Sequence, residues 1–323
     1  MEKDKTKSFG WFLKSGIKVY TDAMLSVGLC YDKGWGVVQS KTKAFEWFLK
    51  SAENGHPAAM NNVGLCYDTG QGVTQDKTKA FEWWLESAEN GNATAMLNVG
   101  WCYSNGKGVT QDLTRAFGWY LKSADNGNAD AMFSVGLCYS NGQGVTQDKT
   151  KAFEWYLKSA EKGNAVAMFN VGHCYDKGEG VIQDKTEAFE WYLKSAENGN
   201  ANAMNKVGAR YFNGQGVTED KTKGFEWYLK SAENGFAGSM NTVGWCYSHG
   251  KGVTQDKTKA FEWYLKSAEN GNAEAMNNVG LCYEDGEGVT QDMTKAFEWY
   301  LKSASHGDAT GMNNVGVCFS NGN

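Results

Sequence analysis

Residues 76–91 read DKTKAFEWWLESAENG, and this stretch decides the fold. Asp76 stands where its carboxylate can accept a backbone N–H of the first turn of a helix. Gly91 can adopt the positive φ at which many helices end. Between them lie good helix formers with apolar residues three and four positions apart. The stretch therefore predicts a capped helix, called helix A below.

A second helix is predicted directly after the first. Asn92 can cap a helix that runs from Ala93 to about Tyr103 and stops near Gly106. We call it helix B. The glycine-rich residues 106–111 then predict a turn that leads into the next capping aspartate.

This pair of helices recurs every 36 residues along the chain. Phenylalanine stands two positions before each repeated tryptophan, and leucine stands two positions after it. A fixed period of this length is typical of solenoid proteins. The repeated tryptophans are Trp11, Trp47, Trp83, Trp119, Trp155, Trp191, Trp227, Trp263 and Trp299.

Both helices are predicted to have wide apolar faces. At 100° per residue, the face of helix A comprises Ala80, Phe81, Trp84, Leu85 and Ala88. The face of helix B comprises Ala95, Met96, Val99, Gly100, Cys102 and Tyr103. An isolated helix pair could not bury faces this wide, so the repeats are expected to stack on one another. Gly100 occupies a position that is glycine in all nine repeats, and we expect a close approach between helices there.

These residues carry a family resemblance. The alanines of both helices, the Trp-Tyr pair, the glycine before x-x-Tyr and the Gly-x-Gly-Val turn strongly resemble the Sel1-like repeat, a relative of the tetratricopeptide repeat, over essentially the whole chain. Valine replaces the leucine common before that glycine, and threonine replaces the proline that often follows the turn valine. The resemblance implies a right-handed α-solenoid with helix A towards the concave side. It also implies adaptor or scaffold work between proteins.

The predicted fold class is therefore all-α, a superhelix of antiparallel helix pairs in 36-residue repeats. We expect a single repeat array over residues 1–323 with about nine units. The first unit, residues 1–36, is degenerate, and the last, residues 292–323, is incomplete.

Charge and composition narrow the class of partner. The net charge is −5, no block of lysine or arginine stands out, and no long apolar run occurs. These features argue against nucleic acid and membranes as partners. No signal peptide is visible at the start of the sequence, which favours a cytoplasmic location.

The eight cysteines predict buried thiols in a reducing compartment. There is one per repeat, and equivalent positions on stacked helix pairs lie about 10 Å apart, beyond the ~7 Å limit for a disulfide. Arg210 replaces the cysteine of the sixth unit, so we expect this position to tolerate the loss of cysteine. No clustered ligands indicate a metal site, and no catalytic motif or cofactor-binding motif is present. We therefore expect a protein without catalytic residues, metal or cofactor.

The positions that vary between repeats point to a candidate binding surface. On helix B they share one arc, opposite the constant residues, and should be exposed. In units three to five this arc carries apolar pairs four residues apart, which could bind a protein or pack against neighbouring turns. The candidate residues are Leu97, Trp101, Phe133, Leu137, Phe169 and His173.

Two further surfaces are candidates for ligand binding. The tryptophan row could form an aromatic ladder for ligands, although packing is the favoured interpretation. On helix A, the polar residues Lys79, Glu82 and Glu86 offer an alternative binding face on the concave side. They are more simply a solvated face than acid–base catalysts.

The hypothesis favoured by these observations is a non-catalytic scaffold or adaptor for an unidentified protein or peptide. One alternative is binding of single-stranded RNA by pentatricopeptide-like repeats, which have nearly the same length. Another is a repeat segment of a larger enzyme or kinase.

The two ends of the array carry separate predictions. Ser8, Gly16 and the run Ile17-Lys18-Val19-Tyr20 depart from the repeat, which we interpret as an adaptation of the first unit to solvent. The last helix B keeps the apolar residues Met312, Val315 and Phe319. Some apolar surface should therefore stay open there, either because the chain is truncated or because it self-associates end to end through this unit.

Overall fold

The computed structural model describes residues 4–18 and 20–321. In this part of the chain every regular element is an α-helix, with two helices in each 36 residues. The predicted all-α class of stacked antiparallel helix pairs is confirmed. Val19 and Gly322 lie outside the described residues.

The helices form two compact units, Met1–Asn164 and Ala165–Asn323. The first unit contains α1 (Lys5–Gly16), α2 (Thr21–Lys33), α3 (Lys41–Glu53), α4 (Pro57–Thr69), α5 (Lys77–Glu89), α6 (Ala93–Asn105), α7 (Leu113–Asp125), α8 (Ala129–Asn141) and α9 (Lys149–Glu161). The second contains α10 (Ala165–Lys177), α11 (Lys185–Glu197), α12 (Ala201–Asn213), α13 (Lys221–Glu233), α14 (Ala237–His249), α15 (Lys257–Glu269), α16 (Ala273–Asp285), α17 (Met293–Ser305) and α18 (Ala309–Asn321). Odd-numbered helices are of type A and even-numbered helices are of type B.

The predicted caps are present. The Asp76 carboxylate accepts the backbone N–H groups of Thr78 and Lys79, both at 3.0 Å. The side chain of Asn92 accepts the N–H of Ala95 at 2.9 Å. These side chains satisfy backbone donors that have no partner within the helix.

The glycine-rich turn has two separate geometric requirements. Gly106 ends α6 in the left-handed region, at φ 65°, so α6 extends two residues beyond the predicted end. Gly108, at φ 70°, passes so close to the start of α5 that a Cβ would lie 2.0 Å from the carbonyl oxygen of Lys77. Turn geometry and close backbone approach therefore account for this Gly-x-Gly pattern.

In the first unit, the predicted faces of α5 and α6 meet in a common core. Every residue predicted for the α6 face is buried, and Val99 has no exposed surface. Phe81 packs edge-on against Tyr103, with ring centroids 5.4 Å apart. The Tyr120 ring of α7 lies over Gly100, where a Cβ would be only 2.6 Å from two ring carbons. The expected close approach at Gly100 is confirmed.

A buried serine in helix A connects each repeat to the one before it. Ser87 has no exposed surface, and its hydroxyl donates to the carbonyl oxygen of Pro57, the first residue of α4, at 2.7 Å. This contact joins helix A to the preceding helix B, against which it packs more extensively than against the following one. The same bond runs from Ser51 to Thr21, Ser123 to Ala93, Ser159 to Ala129, Ser195 to Ala165, Ser231 to Ala201, Ser267 to Ala237 and Ser303 to Ala273.

In the second unit, Arg210 occupies the place of the repeat cysteine. It is 6% exposed, and its guanidinium lies 2.6 Å from the carboxylate of Asp176. Lys185 binds the same carboxylate oxygen at 2.6 Å. The prediction that this position tolerates loss of cysteine omitted this compensation, because a buried guanidinium requires a partner for its charge.

Candidate functional site

The candidate site is a groove in the first unit, formed where α6, α7 and α8 meet. Its apolar wall consists of Trp101, Leu113 and Leu137, and its volume is about 280 Å³. Trp101 is 41% exposed and Leu113 is 37% exposed. The remaining lining residues, polar at the rim and buried at the floor, are Ser104, Asn105, Ser134, Gln143, Ala116, Tyr120 and Cys138.

The opening of the groove is apolar because one position of the repeat differs there. Most repeats place lysine at the first residue of helix A. Lys77, for example, donates to the Asp68 carboxylate of the preceding helix B at 2.7 Å. At the groove the corresponding residues are Leu113 and Ser104. Leucine has no charge to pair, so this junction exposes an apolar side chain where Lys41, Lys77 and Lys185 each form an ion pair with an aspartate.

The rim of the groove provides hydrogen-bonding groups. The side-chain amide of Asn105 donates to the carbonyl oxygen of Trp101 at 2.9 Å. Gln111 donates to the carbonyl oxygen of Ser104 at 2.8 Å. These bonds hold the end of α6 in place beside the groove. An apolar centre with a polar rim is the usual composition of a protein-binding surface.

The tyrosine and cysteine of the groove floor are poor nucleophiles. Burial raises the pKa of Tyr120 to about 12 and that of the Cys138 thiol to about 11. Both groups are therefore protonated at neutral pH. Reactive cysteines have lowered pKa values, so the floor serves as a packed apolar surface.

The structure separates the six residues predicted for the helix B stripe. Trp101 and Leu137 line the groove together, and Leu97 packs against the core of the first unit. The Phe133 ring lies 5.6 Å from Tyr156. In the second unit, the Phe169 ring lies 5.4 Å from Tyr192, and His173 is half-buried. Both interpretations of the stripe thus have support, since some side chains stay accessible and others pack against neighbouring helices.

Leu113 was missed at the sequence level, although a signal for it existed. Leu113 is the first residue of helix A, whereas the predicted surface comprised varying positions of helix B alone. At that position leucine interrupts a series of lysines, as does Met293 in the second unit. Comparison of the repeats at this position would have identified both.

The alternative face on helix A has a different character. Lys79, Glu82 and Glu86 are all exposed, and none of them lines the groove. The Lys79 ammonium lies 5.5 Å from the centre of the Tyr67 ring. These residues form a charged, exposed surface.

Apart from Trp11, the tryptophans of the row are half-buried and packed. Trp119 packs against the core of the first unit, and the ammonium group of Lys122 lies 4.2 Å from the centre of its ring. The same lysine contact, three residues further along the helix, recurs at most of the repeated tryptophans. These contacts favour packing over a ligand-binding ladder for the row.

Two properties bear on the kind of ligand. Within residues 4–18 and 20–321, no group of three or more His, Cys, Asp or Glu residues is arranged to hold a metal ion. No described helix combines the length and the apolar character that crossing a bilayer requires.

Comparison with known proteins identifies the repeat. The model of the Sel1 repeat matches residues 1–16, 21–56, 57–92, 93–128, 129–164, 165–200, 201–236, 237–272 and 273–308. From residue 21 onward each match pairs a helix B with the following helix A, in agreement with the serine bonds described above. No match was found among the curated protein sequences.

Two solved structures resemble the chain over nearly its whole length. A protective antigen of uropathogenic Escherichia coli strains, which displays an SLR fold, is 33% identical with a TM-score of 0.81, over 97% of this chain and 67% of the antigen chain. A Sel1 repeat protein from Oxalobacter formigenes is 28% identical with a TM-score of 0.74, over 97% of this chain and 93% of its own. Proteins with this repeat generally mediate protein–protein interactions. The repeat matches, together with the likeness to the antigen, show that this chain belongs to the Sel1 repeat family.

Proposed function

We propose that this protein is a non-catalytic scaffold that binds a peptide segment of a partner protein in the groove of Trp101, Leu113 and Leu137. The observation that carries the proposal is the apolar mouth at this junction, where most repeats have a lysine. An apolar side chain of the partner would contact the three residues and remove them from water. Each fully buried leucine-sized side chain contributes about 1.5–3 kcal/mol.

The size of the groove favours a side chain over a small-molecule ligand. Its volume of about 280 Å³ lies just below the ~300–1,000 Å³ of small-molecule pockets. One or two side chains of a peptide fit that space. The polar rim of Ser104, Asn105, Ser134 and Gln143 is suited to hydrogen bonds with the peptide backbone. Tryptophan at the centre of such a surface commonly supplies much of the binding energy.

A selection from a random displayed-peptide library tests the proposal. We expect enrichment of peptides with a shared apolar anchor residue. Leu113→Lys, which restores the residue found in most repeats, should weaken binding of the selected peptides at least tenfold. Met293→Lys is the matched control, because it makes the corresponding change at a residue that does not line the groove. If both variants bind the selected peptides as tightly as the parent protein, the groove is not the binding site.

We also propose that the protein works in a reducing compartment as a single repeat array. The compartment is supported by the burial of all eight cysteines. The array is supported by the continuity of the 36-residue period across both units. Identification of a natural disulfide-linked form of the protein would contradict the proposed compartment.

A further inference from the structure

The first helix carries an aromatic side chain without the contact that its equivalents make. Phe12 of α1 is 36% exposed, whereas the residue at this position in every other helix A is at most 8% exposed. Those residues lie over the glycine of the preceding helix B. Phe48, for example, covers Gly28 so closely that a Cβ there would be 2.5 Å from its ring. Trp11, beside Phe12, is 70% exposed.

The exposure of these residues corrects one prediction. The sequence predicts that the departures from the repeat in residues 1–36 adapt this end to solvent, but α1 exposes tryptophan and phenylalanine to water. Gly16 is buried, and a Cβ there would lie 3.3 Å from the Trp47 ring. The N-terminal end of the first unit is therefore apolar.

The last helix of the second unit carries the matching open position. Gly316 of α18 has no heavy atom within 4 Å of a built Cβ, in contrast to the equivalent glycines of the other B helices. Met312 is 52% exposed and Phe319 is 70% exposed, which confirms the predicted open apolar surface at this end. Val315 of the same set is half-buried. This face has the shape that receives a helix A elsewhere.

The contacts between α2 and α3 show how a helix A fits such a face. Ser51 donates to the carbonyl oxygen of Thr21 at 2.9 Å. Lys41 binds Asp32 at 2.7 Å, and the ammonium group of Lys43 lies 5.5 Å from the centre of the Tyr31 ring.

Each of these contacts has a chemically matched counterpart in α1 and α18. Helix α1 precedes α3 by 36 residues and α18 follows α2 by 288 residues, so the residues compared occupy equivalent positions of the repeat. Ser15 would face the Ala309 carbonyl, Lys5 would face Ser320, and Lys7 would face Phe319. Lysine already pairs with serine at the equivalent junction of Lys149 and Ser140, at 3.1 Å.

We propose that the open face of α18 binds α1 of a second copy of this protein. In the complex, Phe12 of one molecule covers Gly316 of the other, as Phe48 covers Gly28 within the first unit. The contact is heterologous, because each molecule contributes a different surface to it. The dimer then retains one open surface of each kind, the α1 of one molecule and the α18 face of the other, so association continues beyond the dimer. This inference is independent of the groove proposed above.

Sedimentation of the full chain over a concentration series tests the proposal. The weight-average mass should rise above the 35.5 kDa of the monomer as concentration increases. Phe12→Asp removes the aromatic contact, and Gly316→Leu fills the receiving position. Each variant alone should remain at the mass of the monomer. Gly118→Leu is the matched control, because a Cβ at that helical glycine also meets nothing within 4 Å, and it should associate as the parent does.

Mixing the two variants provides the decisive measurement. The Phe12→Asp protein keeps an intact α18 face, and the Gly316→Leu protein keeps an intact α1. An equimolar mixture should therefore form a complex of twice the monomer mass and nothing larger. A parent protein that stays monomeric throughout the series would overturn the proposal. So would association that persists in Gly316→Leu, or a mixture that stays monomeric. Circular dichroism of each variant verifies its helical content.

Discussion

Replacing Gly100 by alanine should destabilise the first unit, although alanine is the better helix former. The added Cβ would lie 2.6 Å from two carbons of the Tyr120 ring, 0.8 Å short of the 3.4 Å at which ordinary contact begins. It would also lie 3.2 Å from the carbonyl oxygen of Ala116. The ring must therefore move within a packed core, and overpacking of this kind costs about 1–3 kcal/mol.

The intrinsic preference of the helix opposes this cost. Alanine inside a helix is favoured over glycine by about 0.5–1 kcal/mol. The net change in the free energy of unfolding should be a loss of up to about 2.5 kcal/mol. Gly100→Leu should lose more, because its larger side chain must displace Tyr120 further.

Gly118→Ala is the matched control, because it makes the same substitution in the neighbouring helix α7. A Cβ at Gly118 meets nothing within 4 Å, so only the helical preference acts there, and the variant should gain up to about 1 kcal/mol. Urea unfolding followed by tryptophan fluorescence measures both changes, provided that the slope with urea concentration is unchanged. A Gly100→Ala protein as stable as Gly118→Ala would refute the close-packing argument.

Four further predictions concern the buried polar groups and the thiols. Asp176→Ala should cost about 3–5 kcal/mol, because it leaves the buried Arg210 without its carboxylate. The double variant Asp176→Ser, Arg210→Cys carries the residues that other repeats have at these positions. Its loss of unfolding free energy, measured by urea unfolding, should be much smaller. Burial raises the pKa of Asp176, but hydrogen bonds from Lys185 and Arg210 outweigh burial and hold it below the ordinary value. Its contribution to the free energy of unfolding should thus be complete above about pH 4 and fall as the pH drops through the lowered pKa. The difference in stability between the parent and the double variant should therefore shrink in acid. Burial raises the pKa of the Cys102 thiol to about 12. A thiol reagent at pH 7 should therefore modify few cysteines in the native protein and all eight in denaturant without reductant. A much lower number in denaturant would indicate oxidation. Ser87→Ala should cost about 0.5–1.5 kcal/mol through loss of its bond to Pro57, and an unchanged urea midpoint would argue against that bond.

The sequence by itself was sufficient for the local structure and for the stacking of repeats. The caps at Asp76 and Asn92 and the buried arc of α6 follow from interactions within a few residues of chain. Gly100 indicated close packing, because glycine inside a helix lowers the stability of that helix and its presence therefore calls for another reason. These features repeat every 36 residues, so each prediction was supported by several copies of the same pattern.

The tertiary structure alone decided which side chains meet across the repeats. Ser87 and Pro57 are 30 positions apart, and Asp176 and Arg210 are 34 apart, so no local rule links either pair. The groove likewise depends on α6, α7 and α8 together, since Leu113 becomes part of an apolar wall only where Trp101 and Leu137 are placed beside it. Local periodicity determines which face of a helix is buried, but the contacts of that face depend on the packing of neighbouring helices.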